Sequence, residues 1–568
     1  QVDLAYAYAQ ILMAMQEDSK ALQPLETVIQ AQPEEAAPYL EYARIILELQ
    51  GDLESTGRRA VRLLKHVLNQ EQYPDEAIAH YAEALACAGE MREAKDAFQQ
   101  ALDTELAKQP QWKSRLSQGL GKVTLALNEF ETAIAALQEA ASSDPDNAEI
   151  QCVLSEAFLA AGLGEDAYRT ACEALQLQPS DLKTLTWFAD HILSFPEKTP
   201  GVQRYAEAIQ ALEHAIEIAP NRSRLYVRLG ELQVENDDRE SAQETFNKIA
   251  GIDVAKATEY NDLSARDLKQ DFYRAAQNLR SLGDLQGAIG LLKRAIDIQR
   301  SLEAQEGRKV GEIDLVTLLV ELSLAYRQTG NLAEALLHID RTLPLKANDS
   351  QLYLIKADLL YEMNELDEAL ICIRDALQFA TPNDREEDLF ILHYRAAQIL
   401  RALGNLPQAL KHAQKATLLE SPLSCSGRLL AADLARAMLD PDLAHEILTE
   451  WKPSEKSPEY MDYFWMYMEL ALDAGEDAEA AQALEVVQNL VPHHPRSLVG
   501  QTRLTARQGD HPTAVRLLGM ALEAIQPETE DELNTLRAIS AAAVEIAQWT
   551  PGISLLEKIC QLAPKEPL

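Results

Sequence analysis

Two stretches of this sequence carry the same set of side chains that could bind a carboxylate. The first reads YRAAQNLRSLG from Tyr273, and the second reads YRAAQILRALG from Tyr394. On a helix, their polar residues share one face at i, i+4 and i+7 spacing, with a second arginine beside it. Guanidinium groups bind carboxylates and phosphates through paired hydrogen bonds, and tyrosine rings offer stacking surfaces. The residues of this face are Tyr273, Arg274, Gln277 and Arg280 in the first stretch, and Tyr394, Arg395, Gln398 and Arg401 in the second.

Motifs that would indicate an enzyme are absent from the sequence. It contains no GxxxxGK[ST] phosphate loop, no HExxH zinc motif and no GxSxG nucleophile motif. The six cysteines are scattered without CxxC spacing, which favours buried free thiols in a reducing compartment. We therefore expect no enzymatic activity in this segment, no cofactor, no metal site and a cytoplasmic location.

The composition restricts the classes of partner. The 568 residues include 90 acidic and 52 basic side chains, which gives a formal charge of −38. Because nucleic acids and anionic membranes are bound by clustered lysine and arginine, neither is an expected partner. No apolar run approaches the roughly 20 residues that span a membrane. The length exceeds that of one compact core, so several domains or a repeat array are expected.

The helix that carries these polar residues belongs to a unit that recurs along the whole chain. A turn, a leucine and then an alanine three residues later recur at steps of 34 residues, or of 34 plus an insertion. We number places within each repeat so that this alanine, the marker, is the twentieth. The markers are Ala21, Ala60, Ala94, Ala133, Ala167, Ala208, Ala242, Ala288, Ala335, Ala369, Ala409, Ala444, Ala480 and Ala514, with Gly552 in a fifteenth repeat.

Each repeat follows the same order of elements. An apolar stripe of helical period leads to a Gly, Asn or Asp turn and then to a second amphipathic stretch. A proline follows twelve residues after many markers, where it ends one helix before Ser, Asp or Asn caps the next. Gly121 and Gly230 supply a small residue where two helices must approach closely. These prolines are Pro33, Pro145, Pro179, Pro220, Pro492 and Pro564.

This pattern resembles the tetratricopeptide repeat (TPR) family, over essentially the whole chain. Residues 148–181 show the family's small and large apolar places as Leu154, Ser155, Phe158, Ala167, Ala174 and Pro179. The resemblance implies an all-α, right-handed superhelical α-solenoid of about fifteen antiparallel helix pairs. It also implies that first helices line the concave groove and second helices lie outside, so that neighbouring pairs share one continuous core.

The repeats divide into three predicted segments. Residues 1–268 hold repeats one to seven, 269–460 hold repeats eight to twelve with an arginine-lined groove, and 461–568 hold repeats thirteen to fifteen without a polar capping helix. Both ends fall at repeat boundaries and the first residue is not methionine. We therefore expect an excised array, or further protein beyond its ends, and an ability to self-associate through uncapped ends.

The twelfth place of the repeats changes character along the chain. It is apolar in the first seven repeats and the last three, but in repeats eight to twelve it reads Arg280, Arg327, Tyr361, Arg401 and Arg436. These arginines either pair with acidic neighbours such as Asp433, in which case exposed pairs contribute about 0–1 kcal/mol, or they bind an acidic peptide, a C-terminal carboxylate or a phosphorylated tail. Trp465 falls at another groove place, where it is a candidate peptide anchor.

The sequence therefore predicts a non-enzymatic scaffold that binds a protein or peptide partner in its concave groove. The alternative is that the array is the sensor or regulatory arm of a larger signalling enzyme whose catalytic domain lies elsewhere. Binding of single-stranded RNA would need aromatic and basic groove residues in successive repeats, and the net charge opposes it.

Overall fold

The computed structural model describes most of the residues of the chain. Among the predicted features, Gly552 and the prolines Pro33, Pro492 and Pro564 lie outside the described residues. The described residues are 2–31, 35–50, 53–70, 72–196, 203–259, 264–306, 314–380, 385–419, 424–449, 453, 459–491, 494–524 and 532–546.

The contacts divide the chain into two compact bodies. The N-terminal body is Gln1–Ile313 and the C-terminal body is Asp314–Leu568. The predicted segment boundaries at residues 268 and 460 remain predictions. No described helix is long and apolar enough to cross a membrane.

The N-terminal body consists of helices, with two short 3-10 turns at Glu105–Lys108 and Ile249–Gly251, and its described residues form no strand. Its helices are α1 (Val2–Ala14), α2 (Asp18–Gln30), α3 (Ala37–Gln50), α4 (Glu54–Leu68), α5 (Glu76–Cys87), α6 (Met91–Leu102), α7 (Pro110–Ala126), α8 (Phe130–Ser143), α9 (Ala148–Ala160), α10 (Gly164–Leu177), α11 (Leu182–Ile192), α12 (Arg204–Ile218), α13 (Ser223–Glu235), α14 (Arg239–Lys248), α15 (Val254–Glu259), α16 (Ala265–Ser281) and α17 (Leu285–Glu306).

The described part of the C-terminal body is likewise helical. Its helices are α18 (Leu315–Gln328), α19 (Leu332–Thr342), α20 (Ser350–Glu362), α21 (Leu366–Phe379), α22 (Glu386–Ala402), α23 (Leu406–Thr417), α24 (Ser424–Ala437), α25 (Pro441–Thr449), α26 (Tyr460–Ala474), α27 (Asp477–Leu490), α28 (Pro495–Arg507), α29 (His511–Glu523) and α30 (Glu532–Glu545).

The helices confirm the predicted repeat register. Among the described residues, fourteen helix pairs follow one another, α30 begins a fifteenth, and the six-residue α15 is an addition to the pattern. Each of the fourteen marker alanines lies on a second helix and is completely buried. Within each body, the array is therefore the predicted all-α solenoid of antiparallel helix pairs, whose shared core runs along the marker face.

Local sequence explains where the helices begin and end. Pro145 and Pro179 lie between α8 and α9 and between α10 and α11. The side chain of Asn147 accepts a hydrogen bond from the backbone N–H of Glu149, and that of Asp181 accepts one from Thr184. These caps satisfy backbone donors that the first turn of a helix leaves unpaired.

The two predicted close-packing glycines lie where a side chain has no room. A Cβ atom on Gly121 of α7 would lie 2.4 Å from Cγ of Leu137 on α8. A Cβ atom on Gly230 of α13 would lie 2.6 Å from Cε1 of Phe246 on α14. Both glycines thus set the distance between the two helices of their own repeat, as predicted.

Candidate partner-binding surface

The predicted arginines of the C-terminal body lie on successive first helices, and each contacts an acidic residue of a neighbouring repeat. Arg327 on α18 donates from Nε to Oε1 of Glu362 on α20, at 2.8 Å. Arg395 on α22 contacts Asp358 on α20 from the other side, with Nε 3.2 Å from Oδ1. The first helices of consecutive repeats are therefore joined by ion pairs.

A regular rule relates the arginines to their partners. The arginine at the twelfth place contacts the acidic residue at the ninth place of the next repeat. Nη1 of Arg401 lies 2.8 Å from Oδ2 of Asp433 on α24, and Nη1 of Arg436 lies 3.0 Å from Oε2 of Glu469 on α26. Arg327 and Asp358 follow the same rule at 3.9 Å. Asp433 is thus a partner of the preceding repeat, although it precedes Arg436 by three residues on its own helix.

Glu469 is the most enclosed acceptor of this series. Arg436 approaches it from the preceding repeat, and Nη2 of Arg496 on α28 lies 3.1 Å from its Oε1. Burial alone would raise the pKa of Glu469, but the two guanidinium groups and their hydrogen bonds outweigh it and hold the pKa below its ordinary value. The carboxylate is therefore ionised and shared between three repeats.

Trp465, the candidate peptide anchor, is enclosed by neighbouring side chains. Its side chain is only 5% exposed. The guanidinium of Arg496 lies 4.8 Å above the indole ring, and the ring of His494 lies 4.4 Å away. Because residues of the next repeat cover the indole, a ligand could reach it only by displacing them. A role for Trp465 as a peptide anchor therefore stays a prediction, and it would require these residues to move.

Tyr361 and the remaining polar residues of α22 lie on the same first-helix surface. Tyr361 on α20 is exposed, whereas Tyr394 is half-buried and stacks on Phe390. Gln398 accepts a hydrogen bond from Nη1 of Arg395 at 2.8 Å. Burial raises the pKa of Tyr394, so its phenol stays protonated and available as a hydrogen-bond donor.

The equivalent residues of the N-terminal body lie on α16. Tyr273 and Arg280 are half-buried, and Arg274 and Gln277 are exposed. Gln277 donates from Nε2 to Oη of Tyr273 at 2.8 Å, and Nη2 of Arg274 lies 3.5 Å from Glu231 of the preceding repeat. The continuity of these residues with the arginines of the C-terminal body remains a prediction.

Ion pairs between first helices also occur outside repeats eight to twelve. In the N-terminal body, three such pairs join α5 to α7, α7 to α9, and α11 to α13. The atoms lie 2.5, 2.7 and 2.7 Å apart in the pairs Arg115–Glu83, Lys122–Glu149 and Arg228–Asp190. Comparing the twelfth place of each repeat does not reveal these pairs, because their basic residues lie at other places. A search for opposite charges about one repeat apart could have found them.

Comparison with known proteins identifies the repeat. Residues 119–181 and 202–266 each match a sequence profile of the tetratricopeptide repeat family. A comparison with curated proteins gave no match. The two matched stretches run from the second half of α7 through α10 and from α12 through α15, and the register of their helix pairs continues through the other described pairs.

Comparison with solved structures gave matches of low sequence identity and low TM-score. The APC/C hetero-tetramer Cut9-Hcn1 is 13% identical over 95% of this chain and 96% of that chain, with a TM-score of 0.29. A tetratricopeptide repeat protein from Parabacteroides merdae is 19% identical over 48% and 98% of the two chains, with a TM-score of 0.33. YrrB, described as a TPR protein with an unusual peptide-binding site, is 18% identical over 35% and 97%, with a TM-score of 0.28.

At such low TM-scores, these superpositions carry no argument about the partner or the site of this chain. The two profile matches and the shared register of the helix pairs lead to the family. The chain is a tetratricopeptide repeat protein.

Proposed function

We propose that the chain is a protein–protein interaction scaffold, and that a protein or peptide partner lies along the first helices α18 to α26 of the C-terminal body. This proposal rests on four arginines whose side chains are held in place and are still partly exposed. Ion pairs with neighbouring repeats hold Arg327, Arg395, Arg401 and Arg436 in place, yet each keeps between 29% and 43% of its side chain exposed. Side chains that are fixed before binding lose little entropy on binding.

We propose further that the partner is acidic or carries a free carboxylate. A guanidinium group has five N–H donors, and Arg401 uses Nη1 for its ion pair with Asp433 while remaining 40% exposed. Tyr361 and Tyr394 flank this position on α20 and α22. The tyrosine and arginine face of α16, in the N-terminal body, is a separate candidate for binding an acidic segment.

The test separates ligand binding from internal pairing. A fluorescein-labelled, glutamate-rich peptide with a free carboxyl terminus is titrated against the full chain, and a glutamine-rich peptide of the same length is the control. Wild type should prefer the acidic peptide, and added salt should weaken the binding. Arg401→Glu should weaken it about tenfold or more, since hydrogen bonds to charged groups contribute roughly 1.5–3 kcal/mol.

A charge-swapped variant is the matched control for this position. Arg401→Glu combined with Asp433→Arg restores an ion pair between α22 and α24, so it should restore thermal stability without restoring affinity for the acidic peptide. If the swapped variant recovers its affinity for the acidic peptide, Arg401 acts only through its ion pair with Asp433 and does not contact the peptide. Equal affinity of wild type for both peptides would refute an acidic partner.

We also propose that two copies associate through α1. Leu4, Tyr8 and Ile11 on this helix and Met15 just beyond its end form a stripe, and all four are exposed. In the next repeat, the apolar residues of this stripe include Tyr42 and Ile45, which are buried in the core together with Leu25 of α2. The stripe on α1 is thus a packing surface of the array that no described helix covers.

A further inference from the structure

Three side chains with metal-binding groups meet where the second helices of repeats twelve and thirteen pack side by side. His445 lies on α25, Glu476 immediately precedes α27, and Glu479 lies in the first turn of α27. One ligand atom from each lies within 4.8 Å of the others, and this is the one such group among the described residues. The three residues lie outside the first-helix surface of the proposed partner site.

The imidazole of His445 has an unusual environment. Its Nε2 atom is buried and makes no hydrogen bond within the described structure. The nearest carboxylate oxygens are Oε2 of Glu479 at 3.4 Å and Oε2 of Glu476 at 3.6 Å. Two carboxylate oxygens therefore lie near this nitrogen, each beyond the usual hydrogen-bond distance of about 2.7–3.2 Å.

The two distances from Nε2 of His445 fall in the range that separates ligand atoms of a tetrahedral metal ion. In a zinc site with bonds of roughly 2.0–2.2 Å, two ligand atoms lie about 3.3–3.6 Å apart. Direct hydrogen bonds would bring the same atoms to roughly 2.7–3.2 Å. One imidazole and two carboxylates are ligands that zinc accepts, and the exposed side of the cluster leaves the fourth position open to water.

Tyr467 on α26 supports two of the three groups. Its ring stacks on that of His445, with centroids 5.4 Å apart and planes inclined by 23°. Its hydroxyl donates to Oε2 of Glu479 at 2.5 Å. Outer residues that orient ligands in this way change metal affinity by about 10–100-fold.

We propose that His445, Glu476 and Glu479 bind one Zn²⁺ ion, with water as the fourth ligand and Tyr467 as the residue that orients Glu479 and His445. The positive end of the α27 dipole opposes a cation here, but the two carboxylates outweigh it. The ion joins α25 of repeat twelve to α27 of repeat thirteen. Zinc thus acts as a clip between consecutive repeats, in contrast to the absence of a metal site expected from the sequence.

The experiment uses the untagged full chain, freed of metal with a chelator and titrated with ZnCl₂ near neutral pH. Wild type should bind one Zn²⁺ tightly, and Co²⁺ in its place should give the visible absorption of a tetrahedral site. Zinc should raise the temperature at which the C-terminal body unfolds, because it binds only the folded cluster. His445→Gln and Glu479→Gln should each abolish the tight site, and Tyr467→Phe should weaken it about tenfold.

Glu446→Gln is the matched control, because Glu446 follows His445 on α25 but lies outside the cluster. This variant should bind zinc as wild type does. Circular dichroism of each metal-free variant separates loss of the site from loss of the fold. A chain as acidic as this one also binds zinc weakly at scattered carboxylates. If the tight site is absent from wild type, or if it persists in both His445→Gln and Glu479→Gln, the proposal is wrong.

Discussion

Asp271, on α16, is a carboxyl group buried inside the N-terminal body. It accepts a hydrogen bond from Oγ of Ser223 at 2.5 Å. Burial raises its pKa to about 6, and Asp267 adds to the rise, whereas Ser223, Arg224 and Arg274 oppose it. Desolvation therefore exceeds the attraction of the two guanidinium groups.

The sign of the resulting pH dependence follows from this shift. A raised folded-state pKa means that ionised Asp271 destabilises the fold above about pH 6, and that this penalty disappears as the pH falls toward the unfolded value of about 3.9. Asp271→Asn, which keeps the acceptor for Ser223, should therefore be more stable than wild type at about pH 7.5 by at most about 3 kcal/mol, and the difference should shrink at about pH 5.

Two measurements test this difference in stability: the free energy of unfolding in urea, and the hydrogen exchange of backbone amides in α13 and α16. Asp267→Asn serves as the control, since Asp267 is exposed and caps the start of α16. It should lower stability through loss of the cap, without the same gain at higher pH. A constant difference between wild type and Asp271→Asn across the pH range would contradict the prediction.

Single residues show what the sequence reveals and what it does not. The marker alanines and Gly121 were predictable because packing within a helix pair recurs at every repeat. Trp465 was not, because the residues that cover it, Arg496 and His494, belong to the next repeat. His445 and Glu479 are 34 residues apart and form no local motif, so only the stacking of consecutive repeats brings them together.

At the scale of the elements, ion pairs between first helices are the main feature that helical periodicity did not predict. Periodicity indicates partners three or four residues away on the same helix. The structure instead joins the twelfth place of one repeat to the ninth place of the next, as in Arg401–Asp433 and Arg436–Glu469. The relation between two helices depends on how repeats stack, and this stacking is visible in the sequence only as a spacing near 34.

Two acidic residues of this series, Glu469 and Asp433, differ in burial, so their contributions to the stability of the fold should differ. Glu469→Gln leaves Arg436 and the buried Arg496 without their shared carboxylate, and we expect a loss of about 3 kcal/mol in the stability of α24 to α28. Asp433→Asn removes a half-exposed partner of Arg401, so the expected loss is only about 0–1 kcal/mol. Hydrogen exchange of the two variants at neutral pH measures both changes.

The pH dependence gives a second check on Glu469. The pKa of Glu469 is lower in the folded state than in the unfolded state. Its contribution to the free energy of unfolding is therefore complete above the unfolded-state pKa of about 4.3, and it is lost as the pH falls through the folded-state pKa. Wild type and Glu469→Gln should thus converge only in acid. Equal losses for Glu469→Gln and Asp433→Asn would show that enclosure between two guanidinium groups adds nothing to this carboxylate.

At the scale of the whole molecule, repetition identifies a surface that is expected to be covered. Tyr8 and Tyr42 hold equivalent positions 34 residues apart, but Tyr8 is 55% exposed and Tyr42 is 4% exposed. Ile11 is 57% exposed, whereas Ile45 is fully buried. Each equivalent pair has the same side chain, so the difference lies only in what packs against it. Burying the stripe in a symmetric α1–α1 contact would add about 25 cal/mol for each Å² of apolar surface.

Tyr8→Glu with Ile11→Glu should therefore abolish self-association without unfolding the array, because neither side chain contributes to the described core. Sedimentation of the full chain over a range of concentrations measures the monomer–dimer equilibrium. Leu418→Glu is the control: Leu418 is 83% exposed at the end of α23, so this variant gains one glutamate at an exposed apolar site outside the stripe. Wild type and the control should dimerise with the same affinity, while the α1 variant stays monomeric. A wild type that remains monomeric at every concentration, or an α1 variant that dimerises like the control, would place the contact elsewhere.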